Sequence, residues 1–170
     1  QPAFMPSGLC AVNELIAFKT GAQVWKTIDG GASWYAVYTA TGTLAPVVWM
    51  LDANTGVMAD NGVLYRTTDG GENWTSSGIT QPPSTIAGAT GKGNVCVHGS
   101  DLWVALSSGG IAHSPDLGNT WSEPANAGWG FGNTPRIHFA DTQLGMAVLH
   151  NNPFVYVTVD GGEHWIETDN

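Results

Sequence analysis

One octapeptide pattern, Ser/Thr-x-Asp-x-Gly-x-x-Trp, occurs four times in 170 residues. The copies run from Thr27 to Trp34, Thr67 to Trp74, Ser114 to Trp121 and Thr158 to Trp165. Their aspartates, Asp29, Asp69, Asp116 and Asp160, stand 40, 47 and 44 residues apart. Periods of that size mark repeat architectures in which each copy is one supersecondary unit. Four such units use the whole length, so a single repeat domain over residues 1–170 is expected.

Each residue type in the pattern has a physical job. An Asp at the start of a turn can accept backbone N–H groups a few residues on, replacing ladder bonds the turn lacks. Glycine at the shared position (Gly31, Gly71, Gly118, Gly162) supplies a positive φ that a β-carbon resists. The closing tryptophans, Trp34, Trp74, Trp121 and Trp165, are expected to be the first inward residues of the next strand, anchoring the loop by their large apolar area. The third copy departs, with Leu117 where the others carry Gly and Pro115 ahead of Asp116, so a distorted turn is expected there.

Short apolar runs flank every copy. In the first unit they are Leu9–Val12, Leu15–Phe18, Ala22–Lys26 and Trp34–Tyr38. Comparable runs recur at Val47–Leu51, Gly56–Ala59 and Val63–Arg66, then at Val95–Val97, Leu102–Leu106 and Gly110–His113. The last set is Ile137–Phe139, Gly145–Val148 and Phe154–Val157. Gly, Asn and Asp punctuate them, and no window holds a 3.6-residue period. Twenty-three glycines against only 11% charged residues fit turn-rich β structure better than helix. Repeated units of four short strands predict an all-β fold, a β-propeller of four four-stranded blades at approximately 8–40, 46–80, 84–125 and 135–169, complete or as part of a larger ring.

The four octapeptides resemble the Asp-box, or bacterial neuraminidase repeat, of sialidases, sortilin-type receptors, xyloglucan-active glycosidases and photosystem II assembly factors. The resemblance covers nearly the whole chain. It implies that the box is the turn between the third and fourth strands of a blade, on the face opposite the usual ligand entrance. It implies structural duty for Asp29, Asp69, Asp116 and Asp160, and it assigns a fold more than an activity.

Several functions are excluded or disfavoured. A formal net charge of −9, with 5 Lys+Arg against 14 Asp+Glu, opposes nucleic-acid binding. No apolar run is long enough to insert in a membrane as a helix. The sialidase members of the family imply a three-arginine clamp, and this chain has only Arg66 and Arg136. Other glycosidases need two facing carboxylates, for which only Asp60 and Glu123 are placed. His98, His113, His138, His150 and His164 lack ligand-like spacing, so no metal or other cofactor and no catalytic residue is assigned. Cys10 and Cys96 are expected as small buried side chains, with their pairing left open.

Ligand-binding candidates come from the predicted entrance face. The longest connection, residues 125–136, holds Trp129 and Phe131 beside glycines, with Asn133 and Arg136 as polar neighbours. Two readings stand for this loop: accessible rings that stack on a sugar or anchor a partner, or rings that plug the central channel or cap the neighbouring blade. Asp60, Asn61, His150 and Asn151 lie on loop tips of the same face. The expectation is a non-enzymatic binding or assembly module, extracellular or at a cell or virion surface. Its partner is a protein, further copies in a homo-oligomer, or a cell-surface glycan; glycoside hydrolysis is the weaker alternative.

Overall fold

The computed structural model describes residues 8–42, 45–61, 63–80, 95–105, 110–122, 125–126, 129, 135–149 and 152–168. Two compact units divide the chain, Gln1–Ala87 and Gly88–Asn170. The described residues form strands and turns without a helix, and none is part of a helix long and apolar enough to cross a membrane.

The first unit contains two antiparallel four-stranded sheets. The first is β1 (Gly8–Ala11), β2 (Ala17–Thr20), β3 (Gln23–Thr27) and β4 (Tyr35–Thr39); the second is β5 (Val47–Met50), β6 (Gly56–Asp60), β7 (Val63–Thr67) and β8 (Thr75–Thr80). Each sheet is a meander in chain order, so every turn joins hydrogen-bonded neighbours. β2 starts at Ala17, two residues later than the apolar run suggested. The reason is local: Asn13 Oδ1 accepts the N–H groups of Leu15 (2.9 Å) and Ile16 (2.8 Å), taking them out of the ladder. Phe18, Val24, Val48 and Met58 form the buried core. The Met50 amide donates to the Cys10 thiol (3.4 Å), tying the first strands of the two sheets together.

The second unit repeats this plan. Its sheets are β9 (Val95–His98), β10 (Asp101–Ala105), β11 (Gly110–Ser114) and β12 (Ala125–Asn126), then β13 (Arg136–Phe139), β14 (Gly145–Val148), β15 (Val155–Thr158) and β16 (Ile166–Thr168). Trp103, Ile111, Ile137, Phe139, Leu149 and Tyr156 belong to its core. Cys96 takes the role of Cys10, its sulfur accepting from the Phe139 amide at 3.2 Å. Both cysteines are free and half-buried.

Candidate functional site

The octapeptides form four near-identical corners between the third and fourth strands of the sheets. Thr27 Oγ1 donates to Asp29 Oδ1 (2.8 Å) and accepts the Gly31 amide (2.9 Å), while Asp29 Oδ1 accepts the Ser33 amide (2.9 Å). The same relay runs through Thr67, Ser114 and Thr158 to Asp69, Asp116 and Asp160. The second carboxylate oxygen takes a side-chain donor from the residue four positions on, filled by Ser33, Asn73, Thr120 and His164 in turn.

These donors favour the charged form. Hydrogen bonds from Ser33 hold Asp29 at about 2, those from Asn73 hold Asp69 at about 2, and those from Thr120 hold Asp116 at about 2. The His164 amide and the Thr158 hydroxyl hold Asp160 well below the usual carboxylate range. The ligating atoms of Asp160, Glu163 and His164 lie within 4.8 Å of one another. Because His164 Nδ1 sits 2.7 Å from Asp160 Oδ2 where the other corners place Ser, Asn or Thr, that cluster is accounted for as corner chemistry.

Two details correct the sequence expectation. The third turn is not distorted: Leu117 adopts φ 54 and Gly118 φ 86, matching the Gly-Gly pairs elsewhere, and the relay is intact. The tryptophans do not open the fourth strands, which begin after them. Instead Trp34, Trp121 and Trp165 fold back, each Nε1 donating to its own corner glycine carbonyl at 3.1 Å.

Between the two sheets of the first unit, a side chain closes the gap beside the corner. Lys26 of β3 is 7% exposed and reaches Glu72 in the next sheet's corner, Nζ to Oε1 2.6 Å. Tyr35 Oη donates to the same oxygen at 2.8 Å. The lysine lies beside Phe18, its Nζ 6.0 Å from the ring centroid. Burial disfavours the ammonium, and the hydrogen bond and charge of Glu72 outweigh it, so Lys26 is held above its ordinary value. Glu72 is correspondingly lowered, first by the hydrogen bond from Lys26.

Strand register identifies the counterparts in the second unit. Phe18 pairs with Lys26, and Trp103 pairs with His113; Lys26 and His113 each precede the corner Ser/Thr, and Tyr35 and Ser122 each follow the corner Trp. Trp103 stacks on Phe139 (centroids 3.9 Å) and under His113 (4.9 Å), and its Nε1 donates to Gly161 O at 2.8 Å. Here the gap is open. His113 Nε2 turns to Asp101 Oδ1 (2.6 Å) and Ser122 Oγ turns back to the His113 carbonyl (3.1 Å). A cleft of about 380 Å³ remains, lined by Trp103, Ile111, His113, Ser122, Gly161 and Glu163. Sequence reasoning missed it, although the paired positions Lys26/His113 and Tyr35/Ser122 were readable from the repeats.

None of the described residues proposed from sequence for ligand binding lines that cleft. Trp129 is 8% exposed, its ring packed on Tyr156 (5.0 Å) and Trp165 (5.5 Å), so it is a core residue and not an accessible platform. Burying its large apolar surface wins over the freedom its glycine neighbours allow. Asp60 is 2% exposed, and its Oδ2 accepts from Tyr38 Oη, the Thr41 amide and Thr41 Oγ1 at 2.7–2.9 Å. It fastens the residue 41 turn instead of facing a ligand. Asn61, next to it in the chain, itself adopts φ 49, and Arg136 is exposed at the start of β13. Phe131, Asn133, His150, Asn151 and Glu123 lie outside the described residues.

No protein-family model and no curated protein matches the sequence. Solved structures do match in fold. An ancestral GH74 enzyme superposes with a TM-score of 0.67 at 13% identity, covering 98% of this chain and 24% of its own. The computationally designed Ika4 protein gives 0.61 at 13% identity, covering 95% and 94%. The GH74 xyloglucanase from Xanthomonas campestris gives 0.56 at 13% identity, covering 96% and 38%. This chain has a four-bladed β-propeller-like fold. It spans about a quarter of the length of the ancestral enzyme, and at such identities the likeness concerns architecture alone.

Proposed function

We propose that this chain is a non-enzymatic binding or assembly module of the Asp-box type, working outside the cell or on a cell or virion surface with a protein partner. The observation that carries this reading is the cleft of the second unit. The propeller closes the equivalent position of its first unit with its own Lys26, Tyr35 and Glu72, and leaves His113, Ser122 and Glu163 around open space.

The non-enzymatic part rests on how the acids are used. Asp29, Asp69, Asp116 and Asp160 hold corners, while Asp52 and Asp141 each accept two amide N–H groups in first-to-second-strand turns. Asp60, one of the two acids that the sequence left for a catalytic pair, is buried, and its Oδ2 is held by Tyr38 and Thr41. The glycan alternative depended on an accessible Trp129 ring, which is buried.

Sedimentation velocity over a wide concentration range, alongside a panel of aryl glycosides, tests the proposal. A mass that rises above the 17.8 kDa of one chain is the expected result. A mass fixed at one chain counts against self-assembly, and glycoside turnover replaces the reading with an enzymatic one.

A further inference from the structure

We infer that the cleft of the second unit binds a primary alkylammonium chain, the lysine side chain of a partner protein, with Glu163 receiving the ammonium. The inference deepens the binding-module reading and rests on it for the source of the lysine.

The first unit shows what this position accepts. There a four-carbon stem lies beside Phe18 and its ammonium meets the Glu72 carboxylate at 2.6 Å. The second unit keeps the acceptor as Glu163, carries Trp103 at the strand position of Phe18, and removes both donors. His113 is too short to reach the corner and is drawn away by Asp101, whose counterpart in the first unit is the apolar Ile16. Ser122 replaces the phenol of Tyr35 and spends its hydroxyl on the His113 carbonyl. Glu163 is therefore left exposed at the rim of the cleft, with no hydrogen bond or ion pair to any described residue. A lysine stem entering along the Ile111 and Trp103 edges restores the missing cation. Both faces of Trp103 are already covered, by Phe139 and His113, so the ammonium is recognised by the carboxylate and not by the indole face. A carboxylate that accepts a charge-assisted hydrogen bond discriminates an ammonium from its neutral amide.

The test uses the full chain labelled with ¹⁵N and ¹³C, titrated with Nα-acetyl-lysine N-methylamide, its Nε-acetylated form and n-butylammonium. Saturable shifts of the Trp103 indole N–H and the Ile111 methyls are expected with the lysine amide and with n-butylammonium, and not with the acetylated form. E163Q, a surface change, is expected to weaken binding about tenfold. H113K and S122Y each return a side chain of the first unit and are expected to close the cleft and abolish the shifts. Equal shifts from the acetylated form, or an unchanged affinity in E163Q, overturn the inference. Binding of n-butylammonium without binding of the lysine amide overturns the partner-lysine assignment and leaves a small-amine site. A saturable lysine response in a chain that stays monomeric separates this inference from the assembly reading, which then fails alone.

Discussion

Lys26 and Glu72, 46 positions apart in sequence, join the third strand of one repeat to the corner of the next through a 2.6 Å ion pair between a buried ammonium and a half-exposed carboxylate. Removing the carboxylate strands the cation, so E72Q is expected to cost about 1–2 kcal/mol, more than an exposed pair would. K26M, which keeps an apolar stem beside Phe18, is expected to cost less. Urea midpoints of the two variants check the order. The pH dependence follows from the directions of the shifts. The pair's contribution is present above the ordinary Glu value and is lost as pH falls below it. It is lost again as pH rises through the raised value of Lys26. Both losses should disappear in the double variant K26M/E72Q.

The corner aspartates make stability acid-sensitive. Asp29, Asp69 and Asp116 sit at about 2 in the folded chain against an ordinary 3.8, and Asp160 is lower still. Lowered values mean stability that is present above the unfolded value and falls away as pH drops from about 4 through the folded values. Denaturation midpoints measured between pH 7 and pH 2 should decline steeply below pH 4. D29N should be less stable than the parent at pH 7 and show a shallower decline, and a parallel decline would refute the assignment.

Gly71 and Gly31 occupy equivalent corner positions with unequal surroundings. A β-carbon on Gly71, at φ 84, would lie 2.7 Å from Phe18 Cε1. On Gly31, at φ 94, the nearest atoms are those of its own Trp34 at 3.7 Å. G31A is therefore expected to cost about 1–2 kcal/mol from the left-handed backbone alone. G71A adds overpacking against a ring that is fully buried, for about 3 kcal/mol in all. Thermal melts that rank the two equally would show that Phe18 moves aside freely.

Much of this architecture was legible because its causes are local. The Asp, Gly and Ser/Thr of each corner interact within a few residues, so the octapeptide announces its own geometry, and strand periods near 40–47 residues follow from it. The candidate site was not legible in the same way. Lys26 meets Glu72, and Trp103 meets Gly161, only because neighbouring repeats pack, and that spacing has no signature in a single repeat. Trp129 stays undecided in the sequence for a related reason: flanking glycines permit an exposed ring, while the decision between that and packing on a neighbouring blade belongs to Tyr156 and Trp165 more than twenty residues away. Asp60 looked like a loop-tip acid until Tyr38 and Thr41 of the preceding repeat were seen to fold over it.

Leu117 holds a left-handed conformation, φ 54, where the three other corners place glycine. Leucine pays for that conformation with its β-carbon, and glycine would return part of the gain by loosening the unfolded chain. L117G is expected to be stabilising by about 0.5 kcal/mol, and the β-branched L117V destabilising, as read by chemical denaturation. A destabilised L117G would mean that the leucine side chain contributes packing larger than its strain.

Trp103 combines a packing role and a polar one at the same place. Its ring is fully buried between Phe139 and His113, and Nε1 donates to Gly161 O at 2.8 Å, fixing the corner of the fourth sheet. The first unit fills the equivalent position with Phe18, which carries no donor and leans on Gly71 instead. W103F thus imports a side chain the architecture already tolerates, but it loses ring area and strands the Gly161 carbonyl. A loss of about 2 kcal/mol is expected. Amide exchange should accelerate around Gly161 and Gly162 more than in the first unit, because the corner loses its tether while the Asp160 relay persists. Uniform acceleration across both units would mean that Trp103 stabilises the chain only through bulk, and that the corner needs no hydrogen bond from the neighbouring sheet.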